Sequence, residues 1–255
     1  MIENLFSEDE KNLFEITIEA ISECHKYLRK IYNYSVVSLR EILRFSKWFE
    51  FFQKYFPINN ENEERDNNEK NNKLRSIICS IYICYYIRLT TQKIRYNFEA
   101  KLRNILLKVV NNEEKIEGNS LMEQIKNQVF KDEIYKRPDE IIRYFSGFLR
   151  IEQDYLVDQI ELDKGIGKNS LLKENIFLLF LSLITNIPLI IICKTGIGKS
   201  LSPQLIHKSM RGKYSKNKFF KQFPQIIQIN FLGSEFTQPE DVERLFKKAE
   251  INLIF

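Results

Sequence analysis

The chain has 255 residues, a formal net charge of +5 and a hydrophobic content of 44%. Its 20 Phe and 12 Tyr residues, with one Trp, are ample for a core, which excludes a globally disordered chain. The modest positive charge does not by itself indicate a nucleic-acid partner. Four scattered cysteines without a C-x-x-C pair, and only two histidines, exclude zinc-binding spacing and favour free thiols over a disulfide framework. Residues 1–10 lack a signal-peptide pattern, and we expect a cytoplasmic location.

Residues 1–58 predict a compact helical unit. Capping boxes at Ser7–Glu10 and at Ser38–Glu41 open two helices with apolar residues at helical spacing. The second helix is rich in aromatic residues and is expected to stop at Pro57.

Residues 59–73 are almost entirely polar or charged and predict a disordered linker. From Leu74 to residue 168 the pattern predicts further buried helices, interrupted around residues 111–114 and at Pro138. No catalytic constellation is visible in this helical segment. Its carboxylates Glu152, Asp154 and Asp158 are interpreted as an exposed helix face.

The apolar segment Ile176–Cys193 is nearly long enough to cross a bilayer, so a transmembrane helix is one alternative. Residues 185–188, Thr-Asn-Ile-Pro, interrupt it. A buried helix at 171–184, followed by a buried parallel strand from Ile187 to Cys193, is the favoured interpretation, and it predicts no membrane insertion.

The strand leads into a loop that matches the Walker A pattern G-x-x-x-x-G-K-[ST] at all positions but the first, where Cys193 replaces Gly. Such a loop directs backbone N–H groups, together with a helix N-terminus, at nucleotide phosphates. The predicted nucleotide-binding residues are Thr195, Gly196, Ile197, Gly198, Lys199, Ser200 and Leu201. Among them Lys199 is assigned to the β/γ-phosphates of ATP and Ser200 to the accompanying Mg²⁺, while no catalytic residue is predicted.

Two features qualify this motif. Pro203 falls in the first or second turn of the following helix, where it is expected to remove a backbone donor and to kink the helix. Residues 165–169, Gly-Ile-Gly-Lys-Asn, imitate the loop, but they lack a preceding strand and the metal-binding hydroxyl. They are interpreted as a turn before the next helix.

Beyond the loop, the basic run at residues 208–221 has interleaved aromatic residues and is either a solvated loop or a nucleic-acid contact. Alternation at 225–232 predicts a second strand, Thr237–Glu240 a third capping box before another helix, and Ile251–Phe255 the beginning of a third strand. The predicted fold is therefore mostly α, with a partial α/β sheet of the αβα P-loop type at the C-terminal end.

The chain resembles the mysterin family, giant AAA+ ATPases that are also RING-type ubiquitin ligases. Two N-terminal stretches take part: residues 38–41 and 48–49 look like the lid helix that ends an AAA+ module, and residues 84–89 look like the segment between modules. The remaining matches lie in the C-terminal half, at residues 160–164, 169–177, 187–189 and 199–201.

The resemblance implies ATP and Mg²⁺ as cofactors and other AAA+ modules or protein partners. It divides the chain into a lid at 1–58, the linker at 59–73, an inter-module segment at 74–168 and an incomplete AAA+ core at 169–255. Arg40 matches the lid arginine of the preceding module and is not expected to act with Lys199. The family has Ser where Gly198 stands, and its Walker B Asp-Glu pair and its RING are absent from this sequence.

ATP binding with doubtful hydrolysis is therefore the leading hypothesis. Two alternatives remain open: a non-enzymatic helical interaction module with a vestigial loop, and a nucleic-acid-binding protein that uses residues 208–221.

Overall fold

The computed structural model describes residues 3–7, 10–32, 37–56, 65–113, 144–163, 165–192 and 198–253. Most of these residues are helical. The α-helices are α1 (Lys11–Tyr32), α2 (Arg40–Tyr55), α3 (Arg65–Ile81), α4 (Gln92–Glu113), α5 (Tyr144–Asp158), α6 (Ser170–Thr185), α7 (Leu201–Ser209), α8 (Lys218–Lys221) and α9 (Pro239–Leu253).

The chain forms two compact units. The first contains Met1–Tyr155 with Thr185–Ile187, and the second contains Leu156–Ile184 with Pro188–Phe255. Helix α3 begins at Arg65, within the stretch predicted as a linker, and residues 59–64 of that stretch lie outside the described residues. The assignment of residues 1–58 to a lid and of 74–168 to an inter-module segment stays a prediction.

In the first unit α2 packs against α3, and α1 packs against α4. The apolar positions predicted from helical spacing form the core. On α1 they include Ala20, Cys24 and Leu28, each 0% exposed. On α2, Phe45 stacks on Phe49 with ring centroids 6.2 Å apart. Burying a large side chain such as Leu28, Phe45 or Phe49 gives about 1.5–3 kcal/mol, so the amphipathic pattern accounts for this unit.

Helix α3 continues as a π-helical segment, Tyr82–Tyr86, whose first four residues are buried. The hydroxyl of Tyr82, the first residue of the π-helical segment, is buried. It donates a hydrogen bond of 3.3 Å to the buried carboxylate of Glu99, so this polar group has a partner in the core. Arg75, also on α3, forms an ion pair with the buried Glu152 of α5 and donates a hydrogen bond to the carbonyl of Phe56. Glu152 is therefore a structural residue, not part of the exposed face that the sequence predicted.

The second unit has an aromatic core. Phe180 of α6 is 0% exposed, and its ring lies 5.9, 6.0 and 5.0 Å from those of Phe219, Phe220 and Phe223. Helix α8 is short, but Asn217 caps it by accepting a hydrogen bond from Phe219 N. The cap and the ring cluster together hold the segment after α7 against α6.

The predicted sheet is wrong for the part of the chain that the structure describes. Residues 187–192 and 226–234 have no regular secondary structure, and residues 251–253 belong to α9. Among the residues that the structure describes, the one β-type pairing is an isolated antiparallel bridge between Arg211 and Gln225. A strand requires hydrogen bonds from a neighbouring strand, whereas a helix satisfies its backbone locally. Without a ladder among these residues, the three apolar segments cannot form the sheet that their composition suggested.

The helices described here are all too short or too polar to cross a bilayer. The membrane-like segment of the sequence divides at residue 185, where α6 ends, and Asn186 has a positive φ of 54°. Asn tolerates this left-handed conformation, which terminates the helix.

Candidate functional site

The C-terminal half of the predicted phosphate loop leads directly into a helix. Gly198 is followed by Lys199 and Ser200, and α7 begins at Leu201. Ser202 N donates a hydrogen bond of 2.9 Å to the carbonyl of Gly198, which closes the first turn. A Gly-Lys-Ser sequence at a helix N-terminus is the arrangement on which phosphate binding by a Walker A loop depends.

The remaining loop residues, Thr195, Gly196 and Ile197, lie outside the described residues, as does Cys193, the position that departs from the motif. The structure therefore places Gly198, Lys199, Ser200 and Leu201 together at the start of α7. The assignment of the three preceding residues stays a prediction from the sequence.

Ser200 occupies the N-cap position of α7, but its side chain makes no capping hydrogen bond and is exposed. A serine at this position usually uses its hydroxyl to cap the helix. Here the hydroxyl is not engaged in a cap and is accessible, as a metal ligand must be. Lys199 is half-buried beside it.

Pro203 does not interrupt α7, which runs without a break to Ser209. Pro203 is the third helical residue, and the fixed φ of proline is compatible with the first turn of a helix, where its ring meets no complete preceding turn. The expected interruption of the helix at this position is therefore not seen.

Residues 165–169 form the turn that the sequence predicted. Gly165 has a positive φ of 94°, and Asn169 caps α6 by accepting a hydrogen bond of 2.8 Å from Leu172 N. Lys168 pairs with Asp158 at 2.6 Å. This Gly-Ile-Gly-Lys sequence therefore starts a helix and neutralises a carboxylate.

The basic run is less cationic and less aromatic at the surface than its sequence suggested. Lys208 pairs with Asp163 and Lys216 pairs with Glu161, each at 2.8 Å. Both Phe residues of the run lie in the aromatic core, whereas Tyr214 is 71% exposed. Nucleic-acid binding by such patches needs unpaired cations and accessible rings on which bases stack, so this arrangement favours a solvated, partly neutralised loop.

A cleft of about 510 Å³ lies between residues 158–161 and this run. It is lined by both signs of charge, including Asp158 and Glu161 opposite Lys208 and Arg211. Mixed charge does not select one class of ligand. Among the described residues, no group of three or more His, Cys, Asp or Glu side chains is placed to hold a metal ion.

The comparisons with known proteins define the class first. Residues 165–252 match the family model described as the RNF213 AAA domain, so this part of the chain is an AAA-domain sequence of that type.

Individual relatives agree. The chain is 22% identical over 250 residues to the E3 ubiquitin-protein ligase RNF213 of Homo sapiens, which covers 94% of this chain and 4% of the human protein. It is 32% identical over 97 residues to the E3 ubiquitin-protein ligase rnf213-beta of Danio rerio, which covers 38% of this chain and 2% of the zebrafish protein.

The family resemblance predicted from the sequence is thus confirmed: residues 165–252 carry an AAA-domain sequence of the RNF213 type, and the chain as a whole is similar to RNF213, or mysterin, proteins. It spans only 2–4% of the length of these two relatives.

Proposed function

We propose that residues 195–201 bind ATP together with Mg²⁺. The observation that carries the proposal is the Gly198-Lys199-Ser200 sequence at the start of α7, in a stretch that matches an AAA domain. In this proposal Lys199 binds the β/γ-phosphates and Ser200 binds the metal. The described half of the loop fits this use, because the Ser200 hydroxyl is accessible and the first-turn N–H groups of α7 point toward its N-terminal end.

We propose little or no hydrolysis by this polypeptide. Hydrolysis in such modules requires carboxylates that orient the metal and the attacking water, and losing them costs several kcal/mol of barrier. The carboxylates that follow the loop within residues 198–253 lie on or near the solvent-exposed helix α9. None of them follows a buried strand in this described part of the chain.

Titration with ATP, with and without Mg²⁺, tests the binding proposal. Lys199→Ala removes a charge-assisted contact of about 1.5–3 kcal/mol, so we expect affinity to fall by about 10- to 150-fold. Lys221→Ala, which removes an exposed lysine of the same unit, is the matched control and should bind like the wild type. Equal affinity of Lys199→Ala and the wild type would refute the proposal.

The Ser200→Ala variant tests metal binding separately from phosphate binding. We expect the wild type to bind ATP more tightly when Mg²⁺ is present, and the variant to lose that gain while keeping its affinity for metal-free ATP. A variant that still responds fully to Mg²⁺ would remove Ser200 from the metal site.

We propose a protein partner, such as another AAA+ module, for the apolar surface of the second unit. Ile190, Ile192 and Leu232 are 84%, 91% and 94% exposed, so all three side chains are accessible to such a partner. The relatives are named as ubiquitin ligases. For a longer protein that contains this chain, we propose ubiquitin-ligase activity and a cytoplasmic location. We also propose that such a protein acts within a larger AAA+ assembly. The fluorescence of 8-anilinonaphthalene-1-sulfonate, which binds exposed apolar surface, tests this proposal. We expect the dye to bind the chain alone and to be displaced when a partner module is added.

A vestigial loop in a purely helical interaction module is the competing function. Absence of any ATP-dependent rise in melting temperature would favour it, since a ligand that binds only the folded state must stabilise that state.

A further inference from the structure

Helix α6 contacts the phosphate loop at Gly198. Gly198 has a φ of +77°, in the left-handed region that favours glycine. A Cβ built on Gly198 would lie 2.9 Å from Leu172 Cδ1 and 4.0 Å from Leu172 Cγ. Apart from the chain neighbours of Gly198, Leu172 is the only described residue within 4 Å of that point. The Leu172 methyl group therefore packs directly on the bare Cα of the loop glycine.

Leu172 is held in place from its own side. It is 3% exposed and lies in the first turn of α6. Its N–H donates to Asn169 Oδ1 over 2.8 Å, and Lys173 N donates to the Asn169 carbonyl over 3.1 Å. A capped and buried first turn gives the Leu172 side chain little freedom to move away from Gly198.

Ser202 holds the other side of Gly198. It is 0% exposed, and its Oγ and its backbone N each donate a hydrogen bond of 2.9 Å to the Gly198 carbonyl. That carbonyl shares a planar peptide unit with the Lys199 N–H, and in a trans peptide the two groups point in opposite directions. Because the carbonyl is directed into α7, the Lys199 N–H is directed away from the helix.

We infer that Leu172 and Ser202 are positioning residues for the phosphate site. Leu172 maintains the left-handed conformation of Gly198, and Ser202 sets the orientation of the following peptide, so that the Lys199 N–H is aimed at a nucleotide phosphate before the nucleotide arrives. This inference rests on the proposed ATP binding. It assigns to the start of α6, which the sequence predicted only as a buried helix, a direct part in shaping the site.

The test compares Leu172→Ala, Leu172→Met and Ser202→Ala in the full chain. Ile176→Ala is the matched control, because Ile176 is also buried on α6, one turn further on, and makes no contact with Gly198 within 4 Å of the Cβ position. If Leu172→Ala leaves about a tenth of the molecules with a competent loop, the dissociation constant for MgATP rises about tenfold. Met keeps the volume of Leu and should stay within about twofold of the wild type. Ile176→Ala should lower stability but stay within the same twofold range of affinity.

Hydrogen–deuterium exchange gives a readout that does not need nucleotide. The Ser202 amide should exchange faster in Leu172→Ala than in Ile176→Ala, because only the first substitution releases Gly198. Circular dichroism at the temperature of the titration confirms that each variant is folded. Should Leu172→Ala lose its fold, Ser202→Ala carries the test, with an expected loss of affinity of a similar order.

The outcomes are distinguishable. If the wild type binds MgATP through Lys199, but Leu172→Ala and Ser202→Ala bind as tightly as Ile176→Ala, the positioning role is refuted and the proposed function stands. If the wild type shows no Lys199-dependent binding, the proposed function fails and the inference fails with it. Loss of affinity in Leu172→Ala that Leu172→Met restores supports both.

Discussion

The N-terminus of helix α2 is organised around the carboxylate of Glu41, which is 4% exposed. Its Oε2 accepts hydrogen bonds from Ser38 N at 2.7 Å and from Ser38 Oγ at 3.2 Å. Its Oε1 lies 3.2 Å from guanidinium nitrogens of both Arg44 and Arg88. One buried charge thus caps α2 and pairs with two arginines, so its removal should be costly.

The magnitude follows from the contacts that each substitution removes. In Glu41→Gln, the amide oxygen can still accept from Ser38 N, so the loss is limited to the negative charge. The Arg44 and Arg88 side chains are 38% and 34% exposed, and screening limits each pair to about 0.3–1 kcal/mol. Weakening the charge-assisted cap adds roughly 0.5–1 kcal/mol, which gives a total of about 1–3 kcal/mol. Glu41→Ala also leaves Ser38 N without its acceptor, at a further cost of about 1 kcal/mol.

Urea unfolding followed by Trp48 fluorescence measures this loss. Trp48 is the single tryptophan of the chain and lies on α2, so it reports on the first unit. The control is Glu23→Gln, which breaks the exposed pair with Lys26 and should cost less than about 0.5 kcal/mol. Equal midpoints for Glu41→Gln and Glu23→Gln would refute the reasoning.

The same site predicts a pH dependence. Burial raises the pKa of the Glu41 carboxyl, but hydrogen bonds from the Ser38 and Glu41 N–H groups and the nearby Arg88 charge outweigh it, and the net pKa is lowered. The stability that this carboxylate contributes is therefore fully present above its unfolded pKa, about 4.3, and is lost as the pH falls through the lower folded value. Between pH 5 and pH 3, the free energy of unfolding should therefore fall less for Glu41→Gln than for the wild type.

Two further predictions concern the cores. Phe180→Ala should destabilise the second unit by about 3–5 kcal/mol, because it empties the centre of a ring cluster; far-UV circular dichroism during urea unfolding measures this, and a loss below 1 kcal/mol contradicts it. Cys24, Cys79 and Cys84 are buried, and burial raises the pKa of the Cys79 thiol to about 12. At pH 8 iodoacetamide should leave these three unlabelled in the folded chain and label them in urea; mass spectrometry that finds rapid labelling of the folded chain would contradict this.

Local chemistry made several features predictable from the sequence. The Ser7–Glu10 and Ser38–Glu41 capping interactions exist, with backbone N–H to carboxylate distances of 2.8 and 2.7 Å. Their partners are three residues apart, so no distant part of the chain is needed to form them. The third box lies one residue later than predicted, with Gln238 N donating to Asp241 Oδ2, because α9 begins at Pro239.

Features that depend on distant partners were not predictable in the same way. The sequence could not show whether Phe219 and Phe220 face solvent or pack on Phe180. It therefore left nucleic-acid binding open for the basic run, although both rings lie in the core. It also gave no sign that Leu172 lies against Gly198, since their contact joins residues 26 positions apart through the fold. The capping residue Asn169 indicates that Leu172 lies in the first turn of α6, but it does not indicate what Leu172 contacts.

By itself the sequence determined most of the long helices, two of their capping boxes, the Gly-Lys-Ser motif and the resemblance to RNF213, because these are carried by neighbouring residues. Only the tertiary structure decided which aromatic side chains are buried, how the loop glycine is held, and that the apolar segments at 187–192 and 226–234 do not pair into a sheet within the described residues. The physical reason is the same in each case: a helix satisfies its backbone within one turn, whereas a strand, a ring cluster and a positioned glycine exist only when remote parts of the chain supply the other half of the contact.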